Sequence, residues 1–373
     1  MPDDGFAKLL TGDELMPNRE IVVPGLYETA GYTNAVMAGD VLFTSGLISR
    51  NAEGETVGEG DFEAQAHQVY KNLSILLEAA GASWDAVVKY NAYVARPEDY
   101  ERSRAIHHEY LPAAQSAGST IVTPLMLPEL LYELEVIAYV GRPKQCMPGA
   151  VTVDNTIYLD AQEGESGTLD TQIESMYQRF GKVLDTNGAH WGDLVWSYGY
   201  VTRNDVISPL RDIRYRYMRA GEVAQTSFVC GLGTPGTLIR SELIATTAER
   251  RAFTVPGVSV STGVAHAVQA GNVIYVQGQL ARDVAGQPVA PGDMEAQAES
   301  VFRSLDLILA ATGAGWRDVV RIKNIMTDAT KVSAVRRVRD KYLSGMSYTS
   351  ASVVGSFFVP EFMLEIEAIA VIA

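Results

Sequence analysis

The sequence predicts an α+β fold that is repeated three times along one chain. Three segments share a pattern of Gly, Trp and apolar residues: LLEAAGASWDAVV from Leu76, VLDTNGAHWGDLV from Val183 and ILAATGAGWRDVV from Ile308. Offsets of 107 and 232 residues then hold without gaps to the end of each unit. At these offsets four residue types recur: Arg104, Arg211 and Arg336; Tyr110, Tyr217 and Tyr342; Pro128, Pro235 and Pro360; Glu135, Glu242 and Glu367. Chance does not keep one register over so many positions, so we predict three homologous units.

Each unit is predicted to contain the same elements in the same order. The first unit opens with an alternating strand over 41–44, followed by a polar hairpin region and an amphipathic helix that starts at Phe62 and ends at Gly81. A β-rich strand follows over 87–94, and then a second helix that carries the recurring Arg. Two strands, 119–127 and 131–140, close the unit around the recurring Pro. This β-β-α-β-α-β-β order predicts helices on one face of a sheet, whose other apolar face sister units can cover.

The repeat also sets the domain boundaries. We assign the units to residues 27–142, 143–251 and 252–373, after an N-terminal extension over residues 1–26. The second unit is the most divergent, because its hairpin region is eight residues shorter: Gly46 and Gly60 are 14 residues apart, whereas Ala161 and Gly167 are 6 apart.

Composition excludes several classes of protein. Apolar residues make up 47% and charged residues 20%, which is typical of a globular protein, and no apolar run reaches the ~18 residues of a membrane span. The net charge of −15 argues against nucleic-acid binding, which needs a basic surface. The N-terminus lacks the features of a secretion signal, and Cys146 and Cys230 are too few for a disulfide framework, so we expect a cytoplasmic protein.

The repeated motifs resemble the YjgF/Rid (reactive intermediate deaminase) family. The segments that carry the resemblance are TSGLIS, AAGASWDAVVK, LLYELEVIAYV and FMLEIEAIAVIA. Members of that family are typically homotrimers with a central β-barrel and active sites in three inter-subunit clefts. The resemblance therefore implies an intramolecular pseudo-trimer around such a barrel, either monomeric or as a dimer. Chorismatases, another branch of the fold, also resemble a covalently joined version.

The resemblance further implies hydrolysis of enamines and imines, with an Arg on the penultimate strand that clamps the substrate carboxylate. That position corresponds to Ser119, Thr226 and Ala351. None of these is Arg, so the chain departs from the pattern of the imine deaminases. Ser119 remains a candidate substrate-binding residue.

The last strand of each unit carries the candidate catalytic groups. Alternation places Glu133 on the same face as Glu135, and Glu365 on the same face as Glu367. The glutamates common to all units are interpreted as structural. The family's catalytic Glu corresponds to the varying position, Glu133, Arg240 or Glu365, so we predict Glu133 and Glu365 as acid–base groups, with Glu133 ranked first. Solvent-exposed glutamates on a simple sheet are the alternative interpretation.

Other residues are candidates for substrate binding. Arg104, Arg211 and Arg336 could replace the missing clamp from the second helix, or simply lie on the helix surface. Tyr32 corresponds to the family's cleft aromatic, Arg240 could bind an anion, and His266 lies near the cleft-lining entry segment. The histidines offer no metal-ligand spacing, and GLGTPG from Gly231 precedes a strand rather than a helix, so neither a metal nor a cofactor is predicted.

Two classes of function follow from these residues. The first is a cofactor-independent enzyme that acts on a small carboxylate-bearing metabolite by hydrolysis, deamination or elimination. The second is a non-catalytic small-molecule-binding or pathway-support protein of the same fold.

Overall fold

The computed structural model of the protein describes residues 18–29, 31–259 and 261–372. Most of the predicted N-terminal extension, residues 1–17, lies outside the described residues. Within this described part, no helix has both the length and the hydropathy needed to cross a membrane. The described chain forms three successive groups, each a sheet with two helices.

The first group holds seven strands and two helices. Its strands are β1 (Arg19–Glu20), β2 (Ala35–Ala38), β3 (Val41–Thr44), β4 (Leu47–Ile48), β5 (Val87–Val94), β6 (Ala117–Val122) and β7 (Tyr132–Tyr139), and its helices are α1 (Phe62–Ala79) and α2 (Tyr100–Tyr110). The sheet order is β1-β2-β3-β7-β5-β6, with β4 on β7. Only β5 and β6 run parallel among these pairs.

The other two groups repeat this plan. The second holds β8 (Gln145–Met147), β9 (Ala150–Val153), β10 (Thr156–Glu163), β11 (Leu194–Val201), β12 (Ala224–Val229) and β13 (Ile239–Thr246), with α3 (Leu169–Thr186) and α4 (Ile207–Arg214). The third holds β14 (Arg250–Phe253), β15 (Ala267–Ala270), β16 (Val273–Leu280), β17 (Val319–Met326), β18 (Thr349–Val354) and β19 (Leu364–Val371), with α5 (Met294–Thr312) and α6 (Val332–Leu343). Sheet orders are β12-β11-β13-β10-β9-β8 and β14-β15-β16-β19-β17-β18.

Several residues that recur among the units cap helices or pack helices against neighbouring turns. Asp61 and Asp293 cap α1 and α5 by accepting from the backbone N–H three residues on. Gly313 ends α5 at φ +83°, a left-handed conformation that favours glycine. In the third group the recurring Trp316 and Tyr342 rings lie 5.2 Å apart, and the same contact recurs in the other two groups. These aromatic pairs join the turn after the first helix to the second helix, or in the second group to Tyr217 just after it.

Each sheet is covered by helices on one face, and the opposite faces meet. The helix-covered faces form three separate apolar clusters, one for each group. A fourth cluster contains buried residues of all three sheets, among them Val88, Trp196 and Val320. The predicted α+β organisation is therefore observed, and sister sheets cover one another's second apolar face.

Buried charges cross this shared core. Lys89 lies 2.7 Å from Glu242, and Arg321 and Lys323 lie 2.8 and 3.2 Å from Glu135. Burial raises the pKa of Glu135, but the two cations outweigh it and lower the value to about 2. Each of these carboxylates is paired with a cation from another sheet, so the ion pairs connect the three groups.

The sheet edges also contact one another in a cyclic sequence. The Gly118 amide of β6 donates to Asp160 of β10 at 3.0 Å, and the Gly278 amide of β16 donates to Thr226 of β12 at 3.1 Å. The circle continues where the Gly46 amide donates to the Ser350 carbonyl of β18 at 3.1 Å. The strand hydrogen bonds define three sheets, and the closed central barrel stays a prediction.

Candidate functional site

Among the cavities of the described part of the chain, two lie between neighbouring sheets beside a predicted catalytic glutamate. Cleft A lies between the second and third sheets and has a volume of about 200 Å³. Cleft B lies between the third and first sheets and has a volume of about 270 Å³. Each is lined by one predicted catalytic glutamate from one sheet and by the second helix of the neighbouring sheet.

Cleft A brings three arginines around one glutamate. Glu365 projects from β19, Arg211 and Arg214 from α4, and Arg282 follows β16. Arg214 is buried, with an exposed fraction of 6%. Its guanidinium has no hydrogen-bond or carboxylate partner within the described part of the chain. Arg282 donates to the Ser261 hydroxyl at 2.8 Å, while its Nε is buried without a partner there.

Cleft B has an equivalent arrangement. Glu133 projects from β7, Arg336 and Arg339 from α6, and Arg50 follows β4. Here the buried arginine is paired, because Arg339 donates to Asp340 at 2.7 and 2.9 Å. Tyr32 also lines this cleft, and its ring lies 5.9 Å from the Arg339 guanidinium carbon.

The carboxyl group of each glutamate packs directly against a glycine. A Cβ at Gly46 would lie 1.8 Å from Glu133 Oε1, and one at Gly278 would lie 2.1 Å from Glu365 Oε1. No side chain fits there while the carboxyls keep their positions. The second unit has Ala161 at the equivalent position, and there the glutamate is replaced by Arg240.

Burial changes the ionisation of both glutamates. It raises the pKa of Glu365 to about 8, against the opposing effect of Arg282. It likewise raises the pKa of Glu133 to about 8, with a further contribution from Glu135 and opposition from Lys323. Such a carboxyl is roughly nine-tenths protonated at pH 7. Each cleft therefore holds a neutral proton donor beside guanidinium groups that stay charged.

The equivalent cleft between the first and second sheets, cleft C, is filled by side chains. Arg240 is 5% exposed and donates to Glu163 at 2.8 Å, to the Tyr100 hydroxyl at 2.7 Å and to the carbonyls of Thr120 and Leu232. Tyr100 occupies the position of Ile207 and Val332 in the other units. A buried ion pair thus takes the place of the glutamate and its cavity.

The predicted site residues fall into separate groups. Cleft A contains Glu365 and Arg211, cleft B contains Glu133, Tyr32 and Arg336, and Arg240 fills cleft C. Arg104 is exposed on α2, 3.6 Å from Glu101. Ser119 and His266 line neither open cavity. The Ser119 hydroxyl is buried without a partner among described residues, and His266 Nδ1 accepts from the Val255 amide at 2.9 Å.

Four arginines of the clefts are absent from the sequence-based candidates. Arg214 and Arg339 lie one helical turn after Arg211 and Arg336 and occupy equivalent repeat positions, as Arg50 and Arg282 do. The sequence could have indicated these arginines in two ways. They recur in the register that identified the repeats, and Arg214 and Arg339 lie three residues after a candidate arginine and so share its helix face.

The penultimate strand supplies no arginine to either cleft. Its cavity-lining residues are Gln225 and Ser227 on β12 and Ser350 and Ser352 on β18. These alternate with the predicted clamp positions on the same strands, which line neither cavity. Neither the predicted clamp positions nor the residues that alternate with them provide an arginine for a carboxylate clamp on this strand.

A metal site needs several ligand side chains close together. Among the described residues, no group of three or more His, Cys, Asp or Glu side chains is arranged to hold a metal ion.

Comparison with known proteins identifies relatives of two of the three units. The model of the endoribonuclease L-PSP family matches residues 25–140 and 259–372, together more than half of the chain. The chain is 34% identical over 109 residues to the RutC family protein slr0709 of Synechocystis sp., covering 29% of this chain and 84% of that protein. It is 31% identical over 108 residues to the RutC family protein PH0854 of Pyrococcus horikoshii, covering 29% and 86%.

A solved structure resembles more than one unit at once. The crystal structure of a chorismatase superposes with a TM-score of 0.60 at 16% identity, and covers 77% of this chain and 93% of the chorismatase chain. At that identity the similarity shows the shared fold.

Proposed function

This chain belongs to the endoribonuclease L-PSP family, and from that premise we propose that it is a cofactor-independent enzyme acting on a small carboxylate-bearing metabolite in an inter-unit cleft. The reaction class is acid–base chemistry: hydrolysis, deamination or elimination. One observation carries the proposal. In each open cleft a buried glutamate with a pKa of about 8 faces a cavity lined by arginines.

The arginines account for the class of substrate. The protein carries a net charge of −15, yet each open cleft concentrates three guanidinium groups beside a glutamate that is mainly neutral at pH 7. A carboxylate is the small anion that a guanidinium binds with two parallel hydrogen bonds. The acidic protein surface and the small cavities favour such a metabolite over RNA, although the family's description names an endoribonuclease.

The glutamates account for the chemistry. With the substrate carboxylate held by arginine, protonated Glu133 or Glu365 donates its proton to a substrate nitrogen, oxygen or carbon as the reacting bond changes. The resulting carboxylate then accepts a proton from water or from the product, which restores the acid. A pKa near the working pH suits both steps, because neither protonation state is costly to reach.

The proposed architecture follows the repeat. Units at 27–142, 143–251 and 252–373 close into a pseudo-trimer around a central barrel, as a monomer or a dimer of it. The cyclic edge contacts and the core common to all three sheets support this arrangement. Sedimentation of a particle near 40.4 kDa, or twice that mass, agrees with it, and a trimer of chains contradicts it.

Cleft C favours a second candidate function. Its filling by Arg240 and Glu163 indicates that a cleft of this fold can be retained for structure alone. The alternative is a non-catalytic protein whose open clefts bind a small carboxylate.

A substrate panel separates the two functions. We would measure ammonia release from 2-imino acids made in situ by an amino-acid oxidase, and loss of chorismate, which enters the panel because a chorismatase shares the fold. Wild type is compared with Glu133→Gln, Glu365→Gln and the exposed control Glu101→Gln. Turnover lost in one cleft variant and kept in the control supports the enzyme. Turnover that survives both cleft variants together contradicts the glutamate mechanism, and carboxylate binding without turnover of any panel member favours the binding protein.

A further inference from the structure

The two open clefts differ in the chemistry of their walls. Cleft A is lined by Phe357, Phe358 and Phe362, from the segment between β18 and β19. At the equivalent positions of the first unit the chain has Leu125, Met126 and Leu130. Three phenyl rings in cleft A thus correspond to three aliphatic side chains on the cleft B side.

Both clefts also carry polar side chains, but of different kinds. Tyr32 and Asn324 line cleft B, and the repeat places Val264 and Gly199 at their equivalent positions on the cleft A side. Asn324 Oδ1 is buried without a hydrogen-bond partner among the described residues, so cleft B offers an acceptor for a ligand hydroxyl or amine. Cleft A has a comparable acceptor, because Gln277 Oε1 is also buried without a partner among the described residues, so the two clefts differ in the kind of polar group they carry.

The pairing of the buried arginine also differs between the clefts. In cleft B, Arg339 is paired with Asp340. In cleft A the equivalent neighbour is Tyr215, which has no carboxylate to offer and whose ring lies 5.3 Å from the Arg214 guanidinium carbon. Burying a guanidinium that has no carboxylate partner costs free energy unless an anion binds to it. A ligand anion in cleft A therefore gains more from pairing with Arg214 than one in cleft B gains from Arg339.

From these differences we propose that cleft A binds an aromatic carboxylate and that cleft B does not share this specificity. This inference rests on the proposed small-carboxylate function of the clefts. The ligand carboxylate pairs with Arg214, and its ring packs among the three phenylalanines, where ring–ring contacts add to apolar burial. Arg282 already lies 5.1 Å from the centre of the Phe362 ring, which fixes one wall of the ring site.

Size limits the ligand further. The volume of about 200 Å³ is below the ~300–1,000 Å³ typical of pockets for drug-sized ligands. A single ring with a short acid side chain is therefore the expected class of ligand.

Isothermal titration calorimetry with 3-phenylpropionate tests the proposal. We expect one molecule per chain, and binding weaker by about tenfold or more for uncharged 3-phenylpropionamide, because a charge-assisted hydrogen bond is lost. Arg214→Gln should weaken 3-phenylpropionate binding by a similar factor, since this variant leaves no orphaned carboxylate in the protein. The matched variant Arg339→Gln in cleft B should change it less than twofold.

A second variant tests the ring site without removing charge. Phe362→Leu copies Leu130 of the first unit, and we expect it to weaken binding several-fold while the thermal transition remains cooperative. Undetectable binding to wild type, equal losses in Arg214→Gln and Arg339→Gln, or full binding in Phe362→Leu would each overturn the proposal.

These outcomes are distinct from failure of the proposed enzyme function. Binding of 3-phenylpropionate at cleft A without turnover of any panel substrate upholds this inference and favours the binding protein over the enzyme. Turnover that depends on Glu133, in a protein that does not bind 3-phenylpropionate, supports the enzyme and overturns this inference.

Discussion

The ion pair that fills cleft C gives the sharpest prediction about stability. Arg240→Met removes a buried guanidinium whose partners are Glu163, Tyr100 and two backbone carbonyls. Breaking a buried pair by removing one partner costs ~3–5 kcal/mol. Glu163 is 23% exposed and keeps hydrogen bonds from the Thr234 and Thr237 hydroxyls, so we expect the lower end, about 3 kcal/mol.

That free energy converts into a measurable shift of the melting temperature. For 373 residues the unfolding entropy is roughly 0.8 kcal/mol/K, so Arg240→Met should lower Tm by about 4 °C. The double variant Arg240→Met/Glu163→Leu also removes the orphaned carboxylate and should lie within about 1 °C of wild type. Leu is the residue type of the third unit at this position, Leu280.

The assay is thermal unfolding followed by far-ultraviolet circular dichroism and by tryptophan fluorescence, whose transitions must coincide for one Tm to apply. Arg142→Met is the matched control. Its ion pair with Asp40 is about half exposed, so the loss should stay below about 1 °C. A Tm for Arg240→Met equal to that of the control, or a double variant no more stable than Arg240→Met, would refute the reasoning.

Three further predictions concern the glutamates. If Glu133 is the acid–base group, Glu133→Gln keeps its shape and should lower the rate by on the order of 10²–10⁴; loss in Glu365→Gln alone moves the site to cleft A. Gly278→Ala would bring a Cβ 2.1 Å from Glu365 Oε1, so it should lower cleft A activity by about tenfold or more. The control Gly315→Ala adds its Cβ without a steric clash and should leave the activity unchanged. Equal rates in the two variants would contradict the close packing of the Glu365 carboxyl against Gly278. Because the folded-state pKa of both glutamates is about 8 against 4.5, the folded chain binds more protons between these values, and the two groups lower its stability as pH rises through this window. The Tm of Glu133→Gln/Glu365→Gln relative to wild type should therefore rise from pH 5 to pH 8, and a constant difference would argue against the shifted values.

The repeat made much of the fold predictable. The strand predicted over 87–94 is β5, and the family resemblance agrees with the family model and the RutC relatives. The strand predicted over 119–127 ends earlier, because β6 stops at Val122 and Pro124 has no N–H with which to continue the ladder.

The site was less predictable because side-chain direction is set by packing between units. Arg211 and Arg214 both lie on the cleft side of α4, yet only the structure distinguishes the exposed Arg211 from the buried Arg214. Likewise, the sequence marks Arg240 as a departure from glutamate, but its pairing with Glu163 depends on the register between β10 and β13, which places the two residues opposite each other.

The proposed mechanism depends above all on a glutamate in each open cleft that remains protonated at neutral pH. Carbon-13 NMR of protein labelled at the glutamate Cδ, titrated from pH 4 to pH 10, measures this directly. We predict two carboxyl resonances with midpoints near 8, one missing in Glu133→Gln and the other missing in Glu365→Gln. Resonances of Glu133 and Glu365 that titrate near the ordinary value of 4.5 would contradict it.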